Sequence, residues 1–120
     1  MKALFIFIFL TACSPQKNAV EQGEKLFNLK HLGKSQVMGC VSCHSIKPNQ
    51  VIVGPSLAGL SLRAPYLVTG ETSVEYIKNS IINPDAYVVD GFLPAIMYSH
   101  YEQVLSSEEI DALVAYLSQL

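Results

Sequence analysis

The residues best suited to chemistry in this chain lie in one short run, Cys40-Val41-Ser42-Cys43-His44. Positions three and four apart on a helical turn face the same way. Two thiols and one imidazole can therefore contact a single flat group from the same side. Cys-x-x-Cys-His is the attachment pattern of c-type haem, in which the thiols add to the vinyl groups and the imidazole reaches the iron. The spacing predicts one covalently attached haem c.

Three other uses of the cysteines compete with haem attachment. A thioredoxin-like site needs a strand before the motif and a βαβ unit around it, and neither pattern is visible near Cys40. A structural zinc site needs four closed ligands, so His31 and His100 would have to join the motif. A disulfide between Cys40 and Cys43 would close a very short loop and contribute little stability. Haem attachment is the interpretation that the motif favours.

A proximal His44 leaves the opposite face of the iron to another ligand. Met38 and His31 lie close before the cysteines in sequence and are poorly placed for the far face. Met97 and His100 share a loop before the last predicted helix and could close over that face. A lone methionine is also a common filler of irregular core space. The residues alone therefore leave both Met97 and His100 as candidates.

Helices must position these side chains, because no alternating strand pattern occurs. Three helix starts are predicted from capping boxes, in which an N-cap side chain pairs with the residue three positions on: Asn18 with Glu21, Thr72 with Glu75, and Ser106 with Glu109. The first helix is expected over residues 19 to about 30, the second ends before Pro84, and the last carries an apolar stripe. The connections are rich in glycine and proline. The prediction is an all-α domain with long loops around a functional group.

The chain begins with an export pattern. Lys2 precedes an apolar run that is too short to span a bilayer, which needs roughly 20 residues. The following Leu10-Thr11-Ala12-Cys13 resembles the lipobox of bacterial lipoproteins, which implies acylation of Cys13. The expected organisation is a signal peptide at 1–12, a lipidated Cys13 and short tether at 13–18, and one domain at 19–120. Five extended residues after Cys13 would reach roughly 17 Å.

Several motifs follow the order found in class I mono-haem cytochromes c. They are Gly23 and Phe27 in GEKLF, the CVSCH run, the segment GPSLAGL at 54–60, DGFLPAIM at 90–97, and LSSEEIDALVAYL at 105–117. Over nearly all of the mature chain, the sequence is similar to this family, and especially to the cytochrome c domains associated with bacterial haem-copper oxidases. The resemblance implies the small cytochrome c fold, all-α, with helices and loops wrapped around one haem.

The resemblance also implies roles for individual residues. The carbonyl of Pro55 would accept the ring N–H of His44, and Met97 would be the second axial ligand. Tyr116 would pack near Gly23, where two helices cross closely. Tyr98 stands where the family usually has proline after the ligand methionine, which keeps His100 in consideration.

Other features of the resemblance concern the surroundings of the haem. Arg63 and Tyr66 are candidate partners of the haem propionates. The connection at 28–39 is longer than the family usually has and is expected to be a solvated loop.

Charge is divided unevenly along the chain. Without residues 1–12, seven basic and ten acidic side chains give 7 − 10 = −3. Residues 13–70 carry six basic and two acidic side chains, 6 − 2 = +4, and residues 71–120 carry one basic and eight acidic, 1 − 8 = −7. Nucleic-acid binding is not indicated, because domains that bind nucleic acids are typically basic, with clustered Lys and Arg. The basic half carries the haem motif, which predicts docking to an acidic patch on a partner.

These expectations combine into a membrane-tethered single-electron carrier with His/Met iron ligation in a respiratory chain. It would not be an enzyme and would have no small-molecule substrate. It would be exported to the bacterial cell envelope and anchored to lipid through Cys13. Its redox partners would be proteins such as a quinol-oxidising complex or a terminal oxidase. The alternatives are a haem sensor or ligand binder with an open sixth position, and a cytochrome subunit of a larger oxidoreductase.

Overall fold

The computed structural model describes residues 15–120, so the predicted signal peptide and Cys13 lie outside the described range. The described residues form four α-helices and one pair of very short strands. Their bounds are α1 (Pro15–Phe27), β1 (His31–Leu32), β2 (Val37–Met38), α2 (Leu60–Arg63), α3 (Ser73–Ile82) and α4 (Ser107–Leu117). This architecture confirms the all-α prediction. Among residues 15–120, no helix has both the length and the apolar character needed to cross a membrane.

Helix α1 differs from its predicted bounds at both ends. It covers Pro15–Phe27 rather than residues 19 to about 30, and Asn18 lies inside it, so the predicted capping role of Asn18 is wrong. Proline is tolerated in a first helical turn, because an N–H there has no intrahelical acceptor. After Phe27, both the backbone and the side-chain amide of Asn28 donate to the carbonyl of Glu24, at 3.2 and 2.9 Å. Residues 15–18, expected in an extended tether, are helical.

Helices α3 and α4 begin at the predicted capping boxes. Thr72 Oγ1 accepts from the N–H of Glu75 at 3.3 Å, and the Glu75 carboxylate accepts from the N–H of Thr72 at 2.8 Å. Ser106 and Glu109 make the same reciprocal pair, at 3.2 and 2.9 Å. Each box satisfies two N–H groups that the first helical turn would otherwise leave unpaired. Both predicted helix starts are confirmed.

The first and last helices cross in close contact. A Cβ atom on Gly23 would lie 1.9 Å from the carbonyl oxygen of Ala112 and 2.8 Å from the Cβ of Tyr116. The rings of Phe27 and Tyr116 pack beside this point with their centroids 5.6 Å apart. The predicted packing of Tyr116 against α1 near Gly23 is confirmed. Only glycine allows the two backbones to approach this closely.

A small hairpin, which the sequence pattern did not predict, leads into the cysteine motif. β1 pairs with β2 in antiparallel register, with Leu32 opposite Val37, and Leu32 is buried in the core. Gly39 then donates its N–H to the carbonyl of Lys30 at 2.8 Å, so that the chain reaches Cys40 from a fixed position. Part of the connection at 28–39 is therefore ordered by backbone pairing and is not simply a solvated loop.

Candidate functional site

The two cysteines lie on one tight turn. Cys40–Ser42 is a 3-10 helix, and the N–H groups of Cys43 and His44 donate to the carbonyl of Cys40 at 3.1 and 2.9 Å. Both thiols are free and half-buried. Burial raises the pKa of the Cys40 thiol to about 11. A thioredoxin-type cysteine has a lowered pKa instead, and the strands of the described range form one antiparallel hairpin rather than a βαβ unit.

The imidazole of His44 is held by the chain that follows it. Its Nδ1 lies 2.9 Å from the carbonyl oxygen of Pro55 and donates to it, which leaves Nε2 with a free lone pair. The N–H groups of Val53 and Gly54 donate to the carbonyl of Cys43 at 3.2 and 2.9 Å. Burial lowers the pKa of His44, and the bond to Pro55 opposes that shift. A neutral imidazole with one oriented nitrogen is the form that binds a metal.

Gly54 has a steric role beside this ring. A Cβ atom on Gly54 would lie 2.4 Å from Cε1 of His44 and 2.9 Å from its Nδ1. The ring occupies the place where a side chain would be. Sequence reasoning placed Gly54 in a family motif without this role, because the contact appears only when the segment folds back onto the motif.

The segment that carries Pro55 is fixed by several polar contacts. The guanidinium of Arg63 donates to the carbonyls of Ser56, at 2.5 Å, and Ala58. Ser56 Oγ donates to the carbonyl of Lys47 at 2.6 Å. Arg63, predicted as a propionate partner, has these backbone carbonyls as its partners, while Tyr66 is 86% exposed. Arg63 therefore stabilises the Pro55 segment, a role that the sequence did not indicate.

The candidates for the second axial position lie in different surroundings. Met97 is half-buried and packs against the core, whereas His100 and His31 are exposed. Met38 lies on the cysteine side, with its Sδ 3.7 Å from Sγ of Cys43. Of these four side chains, Met97 combines partial burial with a position in a separate loop.

Two backbone features shape the Met97 loop. Ala95 has a left-handed backbone (φ +59°), and its N–H donates to the carboxylate of Asp85 at 2.8 Å. Sequence reasoning missed Asp85, because its partner lies ten positions away and no local pattern joins the two.

Exposed apolar side chains occur in the two segments that flank the candidate site in sequence. They are Ile46, Val51, Ile52 and Val53 after the cysteine motif, and Leu93 and Ile96 before Met97. An open cavity of about 510 Å³ has Val51, Pro55, Arg63 and Phe92 among its lining residues. Cys40, Cys43, His44 and Met97 are not among those residues, and Pro55 is the lining residue that contacts His44. Exposed apolar residues in the segments that follow the cysteine motif and precede Met97 would suit contact with a large, flat apolar group.

A closed zinc site is not assembled in the described range. Within residues 15–120, no group of three or more His, Cys, Asp or Glu side chains is arranged to hold a metal ion. His31 and His100, which would have to complete a four-ligand set with the cysteines, are both exposed. The donor set at Cys40, Cys43 and His44 instead suits a group that supplies its own remaining ligands, as a porphyrin does.

The comparisons with known proteins agree with this donor set. The family model for cytochrome c matches residues 20–120. No curated protein matches the chain. Proteins of the matched family carry covalently attached c-type haem and transfer electrons without transforming a substrate. The chain therefore belongs to the cytochrome c family, as a small helical electron-transfer protein with one haem c.

Proposed function

We propose that this chain is a membrane-tethered carrier of single electrons in a respiratory chain, with His44 and Met97 as the axial ligands of its haem. The observation that carries the proposal is the contact of 2.9 Å between Nδ1 of His44 and the Pro55 carbonyl, which leaves Nε2 free to bind a metal. When bound, the haem iron supplies the one-electron redox change. The residues of the chain hold the haem, orient its ligand and limit access to the metal.

Covalent attachment is assigned to Cys40 and Cys43. Their thiols lie on the same turn as His44, so three attachment points come from five consecutive residues. The segments at 43–59 and 83–100, which follow this turn and carry Met97, contain no α-helix. A haem attached to this turn would offer an apolar surface for exposed residues such as Ile52 and Leu93 to pack against.

Met97 is proposed as the second ligand because it is half-buried against the core, while His100 is exposed. His/Met ligation raises the reduction potential of haem iron. Together, His44 and Met97 would leave small ligands such as oxygen no open site on the iron. The bound haem would then supply one-electron transfer alone, which suits a carrier rather than a sensor.

Anchoring through acylated Cys13 would keep the haem close to the bilayer in the bacterial cell envelope. Because α1 begins at Pro15, residues 15–18 add only about 1.5 Å each instead of the extended length. The domain would therefore stay nearer the lipid than an extended tether allows. Metabolic labelling of cells with a clickable fatty acid tests this step, with Cys13→Ser as the matched control. Equal absence of label on both proteins would contradict acylation.

The redox partners are proposed to be membrane proteins such as a quinol-oxidising complex or a terminal oxidase. Residues 13–70, which carry the haem motif, hold a charge of +4, and an acidic patch on the partner would complement it. Salt screens such contacts over about 10 Å at 0.1 M. The rate of electron transfer should fall as ionic strength rises. A rate independent of salt would remove the electrostatic part of the proposal.

Optical spectra of the mature protein, oxidised and reduced, test the ligation directly. A low-spin, six-coordinate haem that does not bind carbon monoxide supports the carrier. Rapid binding of carbon monoxide would favour the alternative, a sensor or ligand binder with an open sixth position. Purification from membranes in a stable complex with an oxidase would favour the other alternative, a subunit of a larger oxidoreductase.

A further inference from the structure

The backbone two residues before Met97 adopts an unfavourable conformation that other contacts must stabilise. Ala95 has φ +59°, a left-handed value that is unfavourable for a residue with a Cβ atom. Such conformations persist where surrounding contacts determine them. The contact here is the hydrogen bond of 2.8 Å from the Ala95 N–H to Oδ1 of Asp85. It joins the loop that follows α3 to the residue two positions before Met97.

A second set of contacts holds the chain just after Met97. The ring of Tyr98 packs edge-on against Tyr101, with centroids 5.0 Å apart. Tyr101 is 6% exposed, and its hydroxyl donates to the carbonyl of Met38 at 2.8 Å. Met38 in turn contacts Cys43 through sulfur, at 3.7 Å. The chain after Met97 is thus connected to the strand that leads into the cysteine motif.

We infer that Asp85 and Tyr101 are positioning residues for Met97, which fix its loop from either side and keep its sulfur in place. This inference rests on the proposed ligation by Met97. The packing of Tyr98 on the anchored Tyr101 limits the backbone just after Met97 by tertiary contact.

Binding of free imidazole to the oxidised haem protein measures how readily the loop releases Met97, because imidazole must displace its sulfur. Asp85 is exposed, so water screens the hydrogen bond that Asp85→Ala removes, and this variant should raise the affinity for imidazole about fivefold. Tyr101→Phe removes one neutral hydrogen bond and keeps the ring, so about a threefold increase is expected. Asp85→Asn keeps an acceptor oxygen and should restore most of the wild-type value.

Matched controls remove the same chemical groups elsewhere. Asp90→Ala changes an exposed carboxylate in the same loop, and Tyr116→Phe removes a phenol at the crossing of α1 and α4. Both should bind imidazole as the wild type does. A merely structural role for Asp85 would lower global stability without changing imidazole affinity. Urea unfolding of each variant therefore accompanies the titration.

The outcomes separate this inference from the proposed ligation. The sulfur-to-iron charge-transfer band of the wild-type oxidised protein reports Met97 directly. If that band is present and both variants bind imidazole within twofold of the controls, the inference is wrong and the ligation stands. If the wild type lacks the band, the ligation is wrong and the inference falls with it. Should Asp85→Ala fail to acquire haem, hydrogen exchange in the wild type decides: a protected Ala95 amide supports the contact, and free exchange overturns it.

Discussion

Gly54 and His44 are packed so closely that the imidazole takes the space of a side chain. A Cβ atom on Gly54 would lie 2.4 Å from Cε1 of His44, and the next residue supplies the carbonyl that accepts the ring N–H at 2.9 Å. One glycine and one proline therefore set the plane and the direction of the imidazole together. Arg63 stabilises the same segment by donating hydrogen bonds to the carbonyls of Ser56 and Ala58.

Replacing Gly54 with alanine should displace the imidazole. The added methyl group cannot be accommodated unless the ring moves, and the bond to Pro55 would then lengthen or break. We expect Gly54→Ala to lose the low-spin spectrum of the attached haem or to reduce strongly the yield of haem protein. Absorption spectra of purified protein check this. A variant with a wild-type spectrum and yield would show that the contact does not constrain His44.

Gly23→Ala provides a contrast at a glycine remote from the motif. Its methyl group would meet the backbone of Ala112, so α1 and α4 must separate. Overpacking of this kind costs about 1–3 kcal/mol of the free energy of unfolding. Urea unfolding of the haem protein should show that loss, while the spectrum keeps its low-spin form. Unchanged stability would mean that the crossing adapts without strain.

The assignment of the second ligand predicts opposite results for two loop residues. Met97→Ala should abolish the sulfur-to-iron charge-transfer band and allow carbon monoxide to bind the reduced protein, because the only half-buried candidate is removed. His100→Ala should leave both properties unchanged, because His100 is exposed and its ring packs only on the edge of Tyr98, at 5.8 Å. A wild type that lacks the band, and in which His100→Ala rather than Met97→Ala lets carbon monoxide bind, would assign His100 as the ligand.

The capping box of α3 predicts a pH dependence. Hydrogen bonds from the backbone N–H and the hydroxyl of Thr72 lower the pKa of Glu75 below its ordinary value of 4.5. The ionised carboxylate therefore stabilises the folded state above that ordinary value. The contribution is lost as pH falls through the lowered pKa, because protonation then removes the favoured acceptor.

Glu75→Gln should accordingly reduce the acid-induced loss of stability. The urea midpoint of the wild type should fall further between pH 5.5 and pH 3.5 than that of the variant. Glu102→Gln, at an exposed carboxylate in the 3-10 turn Tyr101–Gln103, is the matched control and should follow the wild type. Parallel curves for all three proteins would contradict a stabilising role of the ionised Glu75.

The local features of this protein were predictable because they depend on residues close in sequence. The Cys40-Val41-Ser42-Cys43-His44 spacing places three groups on one turn, and the boxes at Thr72 and Ser106 start their helices through partners three positions away. The start of α1 was misplaced, since Asn18 also forms a box pattern with Glu21. The chain continues the helix back to Pro15, so that pattern is not used as a cap.

The haem motif, the helical class and two helix starts could be predicted from the sequence, because residue spacing and local hydrogen bonds specify them. The contact between His44 and Pro55 was expected from family resemblance alone. Three other contacts depend on the folded arrangement of the loops: Gly54 with the His44 ring, the Arg63 guanidinium with its carbonyls, and Asp85 with Ala95. These contacts join residues five to ten positions apart, and the hydrogen bond from Tyr101 to Met38 spans 63 positions. Their partners depend on how loops fold over the core, and no helical or strand period encodes that arrangement.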